Sequence, residues 1–96
     1  MKFNGLNLTE NSSKVLASLY LNKLYGTGYM QAKTIQEECN FEKYSTAIGN
    51  LIGLAKAGLV NIKTEELSDG TIFKFYYIPD KVFDTLIEKA EFEKGV

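Results

Sequence analysis

The chain has 96 residues, of which 45% are hydrophobic, and its formal net charge is −1. This length supports one small domain around a single core, and no apolar run is long enough to span a membrane, so we expect a cytoplasmic protein without a membrane partner. Histidine is absent and Cys39 is the only cysteine, which removes the commonest general base and any cluster of metal-binding thiolates. The composition therefore predicts a protein that is not an enzyme and that uses no cofactor or metal.

The first predicted element is a helix from Thr9 to Tyr25. A cluster of Thr, Asn and Ser at its start suits N-capping, and Gly26-Thr27-Gly28 ends it. Tyr29-Met30 follows as a candidate for a short strand. Apolar residues at helical spacing form the inward stripe of the helix, and they are Val15, Leu16, Leu19, Tyr20 and Leu24.

Two short helices joined by a turn are predicted next, over about residues 31–57. The first runs from Gln31 to Cys39, and Asn40-Phe41 forms the turn. Its inward positions at helical spacing are Ala32, Ile35 and Cys39. Cys39 is therefore expected to be a small buried apolar residue rather than a nucleophile.

The second of these helices is predicted from about Lys43 to Ala57. Its core positions are Ala47, Leu51 and Leu54. Gly58 can adopt a positive φ angle without a Cβ penalty, so the helix can end there and a strand can follow at once. The start is open to alternatives, which are Asn40, Glu42 and Ser45.

A β-hairpin is predicted over about residues 59–78. Its strands run from Leu59 to Glu66 and from Thr71 to Ile78, and the Asp69-Gly70 pair between them favours a tight turn. Pro79-Asp80 then starts a last helix over about residues 80–93, with Asp80 as its cap. The apolar face of this helix consists of Val82, Phe83, Leu86, Ile87 and Ala90.

In this order, from about Thr9 to Phe92, the elements resemble the winged helix-turn-helix superfamily, which includes the MarR-, ArsR- and PadR-like regulators. The resemblance implies an α+β fold, in which a three-helix core carries a β-hairpin wing and a C-terminal helix, as one domain over residues 1–96. It further implies a homodimeric transcriptional regulator that binds double-stranded DNA with the second helix of the motif. Because the superfamily also contains protein-interaction modules, such a module without DNA binding is the alternative from another class.

The expected DNA-binding residues lie on the motif helices and the wing. Hydroxyl and amide groups suit phosphate oxygens and adenine edges, whereas lysines suit phosphates; each of these side chains is also common on an ordinary solvated surface. The chain has 11 lysines and no arginine, which removes the commonest guanine contact and favours AT-rich DNA. The expected set is Lys33, Lys43, Tyr44, Ser45, Thr46, Gly49, Asn50, Lys63 and Lys74.

Two glycines on the outer side of the second motif helix need an explanation. Glycine in a helix interior costs about 1 kcal/mol relative to alanine, yet Gly49 and Gly53 lie four residues apart there. They permit close approach of DNA or of a second helix, or else they accommodate a bulky neighbour in the same subunit. In this feature the chain resembles the tubulin-type plasmid and phage partition adaptors, winged-helix proteins that bind centromere repeats. The expected dimer contacts are Gly53, Ala57, Val82, Phe83, Leu86, Ile87 and Ala90.

The wing has an unusual surface for a DNA-binding element. Glu65, Glu66 and Asp69 outnumber Lys63 and Lys74, and an acidic tip repels phosphate. In the second strand, alternation places one row on the core side and leaves the other for the last helix or another subunit. These two rows are Phe73, Phe75 and Tyr77, and Ile72, Lys74, Tyr76 and Ile78.

Overall fold

A computed structural model describes residues 2–3 and 6–94, with side chains from residue 8 to residue 88. The elements in chain order are β1 (Lys2–Phe3), β2 (Leu6–Asn7), α1 (Glu10–Tyr25), α2 (Ala32–Glu38), α3 (Tyr44–Lys56), β3 (Asn61–Glu66), β4 (Ile72–Tyr77) and α4 (Asp80–Lys94). The first two strands pair antiparallel as a short hairpin that was not predicted. The remaining elements follow the predicted order.

Three helices, α1, α2 and α3, enclose the core. The predicted inward positions of α2 and α3 are all buried, including Cys39 at the end of α2. On α1 one expected position is wrong: Leu24 is 40% exposed. In the last turn of α1 the side chain directed towards the core is that of Lys23. Its ammonium donates a hydrogen bond to the carbonyl oxygen of Ile78 at 2.7 Å. The fully buried large side chains are Val15, Leu16, Leu19, Ile35, Leu51, Leu54, Val60 and Ile78.

Capping side chains and residues with positive φ angles determine where the helices begin and end. The Thr9 hydroxyl accepts a hydrogen bond from the Ser12 backbone N–H at 3.1 Å and caps α1. Asn40 has a φ angle of 56° in the turn between α2 and α3, a left-handed conformation that asparagine tolerates. Lys43 is the N-cap of α3, so none of the three alternative starts is correct. Gly58, with a φ angle of 79°, turns the chain from α3 towards the wing.

The wing is the antiparallel hairpin of β3 and β4, with Thr64 opposite Lys74 and Ile62 opposite Tyr76. At its turn the Asp69 carboxylate accepts a hydrogen bond from the Thr71 backbone N–H, which holds the pKa of Asp69 below its usual range. On the other edge of β4, Met30 exchanges two backbone hydrogen bonds with Tyr76, at 3.0 and 2.7 Å. The short strand expected at Tyr29-Met30 is therefore reduced to one paired residue, Met30.

The last helix, α4, is anchored to the end of α1. Asp80 is the first helical residue rather than the cap, and its carboxylate accepts a hydrogen bond from the Lys23 ammonium at 2.6 Å. The rings of Tyr20 and Phe83 pack with their centroids 5.4 Å apart. A three-helix core, a β-hairpin and a C-terminal helix confirm the predicted α+β fold class, and their order is compatible with a winged helix-turn-helix domain.

Candidate nucleic-acid interface

The side of α3 opposite the core carries Ser45, Gly49 and Gly53, which we call the glycine face. The four-residue spacing of these residues places them in one line along the helix. A Cβ atom added at Gly49 or Gly53 would have no heavy atom within 4 Å, apart from its chain neighbours and its own helix backbone. Within the described part of the chain, the glycines therefore accommodate no bulky side chain, and the intrasubunit explanation for them is wrong.

Asn50 does not belong to the glycine face. Its side-chain oxygen accepts a hydrogen bond from the Ser12 hydroxyl at 2.8 Å, and its amide nitrogen donates to the Thr46 carbonyl oxygen at 2.7 Å. The side chain is half-buried between α3 and α1. Asn50 was expected to contact DNA from the outer side of α3, but it faces α1, which covers the flank of α3 that carries it. Its amide stabilises the packing of the two helices.

Two lysines flank the start of α3 from different sides. Lys43 is the N-cap residue and borders a pocket with Asn11 and Lys14 of α1. Lys33, in the first turn of α2, borders the space between α3 and the wing. Both are exposed, and neither ammonium is hydrogen-bonded or ion-paired to any residue among those described. They can therefore meet phosphates without first breaking an intramolecular ion pair.

The structure separates the two wing lysines. The ammonium of Lys63 lies 3.3 Å from the Glu65 carboxylate and 4.9 Å from the centre of the Tyr29 ring, on the wing face away from α3. Lys74 belongs to the opposite face, the face of Tyr76, and borders the same space as Lys33. Only Lys74 is thus placed to act together with α3.

A groove runs between α3 and the wing, and sequence reasoning missed it. Its walls are Tyr44, Ile48 and Ile52 of α3 and Ile62 and Ile72 of the wing, and we call it the wing groove. Their exposed fractions are large for apolar residues: 58% for Ile72, 51% for Tyr44 and 46% for both Ile52 and Ile62. The sequence feature that could have predicted this groove is the set of isoleucines outside the predicted core positions of α3 and in the wing strands. Single exposed apolar residues are ordinary, but a contiguous set marks a contact surface.

The expected dimer residues of α4 are partly used within the subunit. Val82, Phe83 and Leu86 are half-buried and pack against the core, and Ile87 is half-buried as well. Ala90 lies beyond the side chains that are described. On α3, Ala57 is the exposed C-cap residue, four positions after Gly53. The free apolar surface of α4 is therefore smaller than its sequence suggests.

Cys39 lies at the C-terminal end of α2 and is buried. Burial raises the pKa of its thiol, and the neighbouring Glu38 carboxylate adds to this shift. A protonated buried thiol is a poor nucleophile. Among residues 8–88 there is no group of three or more acidic or cysteine side chains that could hold a metal ion. Within the described part of the chain, no helix combines the length and apolar character needed to cross a membrane.

Comparison with known proteins gives a likeness of fold. No protein-family model matches the chain, and no curated protein matches it in sequence. Among solved structures, it is similar to a "possible transcriptional regulator from Methanosarcina mazei Go1", with a TM-score of 0.62 and 14% sequence identity. The match covers 99% of this chain and 90% of that chain. At this identity the likeness shows a fold shared with a possible regulator over nearly the whole chain.

Proposed function

We propose that the protein is a transcriptional regulator that binds double-stranded DNA through α3. The observation that carries this proposal is the open glycine face, which offers Ser45 and bare backbone to the solvent beside the uncommitted lysines Lys33 and Lys43. A helix with so small an outer surface can lie deep in the major groove, where its backbone and short side chains come close to base edges. The fold shared with a possible regulator supports the same assignment.

The proposed contacts divide by chemistry. Lys33, Lys43 and Lys74 bind phosphates, because each is exposed and none forms an ion pair with another described residue. The hydroxyls of Ser45 and Thr46 and the Tyr44 ring, at the start of α3, lie where they can contact phosphate or base edges. The chain has no arginine, the side chain best suited to a bidentate contact with guanine, and this favours AT-rich sites.

Fluorescence anisotropy tests this function directly. We expect the full chain to bind labelled AT-rich duplexes more tightly than GC-rich duplexes of equal length, with an affinity that falls steeply as salt rises. The measurement is made at several salt concentrations, because the slope separates phosphate contacts from other contributions. A protein that binds neither duplex, even at about 50 mM salt where nonspecific binding is strong, would exclude DNA binding.

The open glycine face also supports a second candidate function. Two helices can pack closely where both present glycine, so Gly53 and Ala57 of two subunits could meet at a homodimer interface. A protein paired in this way would present DNA contacts from both subunits, as a centromere-binding partition adaptor does. Sedimentation of the Gly53→Leu variant beside the parent protein distinguishes the two candidates, since only the second needs the glycine face for dimerisation.

A further inference from the structure

We propose that the wing groove binds an acidic, apolar segment of a partner protein. Four of its five apolar side chains are roughly half exposed, which leaves a continuous apolar surface between two elements of secondary structure. Removal of such exposed apolar surface from water is favourable and would stabilise a complex. The groove therefore needs an occupant with apolar side chains of its own.

DNA does not match this surface. The thymine methyl group is the main apolar group that a base pair presents in the major groove, whereas the remaining edge groups are hydrogen-bond donors and acceptors. Protein surfaces that bind DNA are correspondingly polar and positively charged. A groove with Ile52, Ile62 and Ile72 in its walls would leave most of its apolar surface unmatched against a duplex. The DNA-binding role proposed above uses Tyr44, Lys33 and Lys74 at the edges of the groove but does not account for its exposed isoleucines.

The charges around the groove indicate the chemistry of the partner. Lys33 and Lys74 border it, and no carboxylate is among the residues that line it. The nearest carboxylate in the hairpin register is that of Glu66, which is opposite Ile72 on the same wing face but is not among the lining residues. A partner with carboxylates beside its apolar residues would therefore meet complementary charge. A second copy packed symmetrically into the same groove would instead bring lysines against lysines, which disfavours that occupant.

The test uses synthetic peptides and the isoleucine methyl groups as reporters. The probe is a helical peptide of about 16 residues with leucines along one face and glutamates beside them. A matched peptide carries lysine in place of every glutamate, and a second control has the probe's composition in scrambled order. The δ1 methyl groups are labelled with carbon-13 and observed by NMR. Ile48, Ile52, Ile62 and Ile72 report on the groove, whereas the buried Ile35 and Ile78 are internal references.

We expect the acidic peptide to shift the four groove methyl groups and to bind with a dissociation constant on the order of 100 μM. The decisive variant is Ile72→Lys, because it removes an apolar wall and at the same time adds positive charge. Docking into the groove predicts affinity at least about tenfold weaker for this variant. Attraction by charge alone predicts tighter binding, which would overturn the proposal. The matched control is Leu67→Lys, which adds the same charge at the wing turn, outside the groove, and should leave groove binding in place.

The other outcomes are equally definite. Equal binding of the acidic peptide and its lysine counterpart, or shifts that miss the four groove methyl groups, would overturn the proposal. If the free protein is a dimer that Ile72→Lys converts to a monomer, the occupant is a second copy and the proposed partner is wrong. Since none of these measurements contains DNA, a failure here is distinguishable from a failure of the proposed DNA-binding function.

Discussion

The two flanks of α3 differ in how completely the fold covers them. The flank towards α1 carries Asn50, which is hydrogen-bonded to Ser12 and half-buried. The flank towards the wing carries Ile48 and Ile52, which line an open groove. One side of the helix is thus held by specific polar contacts, whereas the other is left apolar and accessible. The glycine face and the outer part of the wing flank are therefore both accessible to other molecules.

The largest effect is expected from Gly53→Leu on the glycine face between the two flanks. A Cβ atom at position 53 meets no heavy atom within 4 Å and the position is exposed, so we expect the domain to fold, whereas a molecule that packs against the face is displaced. DNA binding or dimerisation should be lost, with more than about a tenfold drop in affinity.

Sedimentation and anisotropy identify which contact Gly53→Leu breaks. A monomer would place the dimer interface on the glycine face, and a dimer that no longer binds DNA would place DNA there. Circular dichroism confirms that the variant is folded. If the variant dimerises and binds DNA like the parent, the glycine face has neither role.

On the flank towards α1, Asn50→Ala should lower the free energy of unfolding by about 1 to 2 kcal/mol, because the Ser12 hydroxyl loses its partner in a half-buried site. Ser45→Ala is the matched control, since Ser45 is an exposed polar residue of the same helix and its hydroxyl forms no hydrogen bond to the described residues. It should change stability by less than about 0.5 kcal/mol. Urea denaturation measures both. Unchanged stability of Asn50→Ala, together with a loss of binding only on the preferred DNA sequence, would instead make Asn50 a base-recognition residue.

Lys33 and Lys43 test the two sides of α3 separately. Replacing either with alanine should weaken binding to all DNA sequences and make the salt slope shallower by about 1 unit. Only Lys33→Ala should also weaken binding of the acidic peptide, because Lys33 borders the wing groove and Lys43 borders the pocket next to α1. Lys81→Ala, an exposed position on α4, is the control. A full salt slope in a lysine variant would remove that lysine from the phosphate contacts.

The smallest effect is expected from Gly49→Ala. The added methyl group has open space around it, so the change should stabilise the isolated domain by up to about 1 kcal/mol through helix propensity. Thermal denaturation in the absence of DNA measures this gain. A destabilised variant would contradict the open space around Gly49 in the free domain.

The sequence predicted those parts of the fold that depend on local pattern. Helical spacing was sufficient for Ala47, Leu51 and Leu54, and the Asp69-Gly70 pair was sufficient for the wing turn. The short first hairpin was missed although Asn4-Gly5, between its strands, is an equally good turn signal. Strands of two residues are too short to show an alternation of apolar and polar residues, so the turn signal alone does not identify a hairpin.

The candidate site was less predictable because it depends on contacts between distant segments. Ser12 and Asn50 are 38 residues apart, and nothing in either local sequence specifies that they meet. The wing groove likewise requires α3 and both wing strands to come together, and the core pattern of α3 is already complete without Ile48 and Ile52. Spacing identified the outer side of α3 but could not show which flank another helix covers.

The backbone pairing of Met30 has a consequence for aggregation. Tyr76 uses its N–H and C=O groups on Met30, and alternation places those of Ile72 and Lys74 along the same edge of β4, beyond the reach of this single pair. An open strand edge is a template for pairing with another chain, and the run from Thr71 to Ile78 is apolar and aromatic apart from Lys74 and Thr71. A charge in the middle of such a run opposes the stacking of identical strands. We therefore expect Lys74 to oppose intermolecular β-sheet formation along this edge of β4.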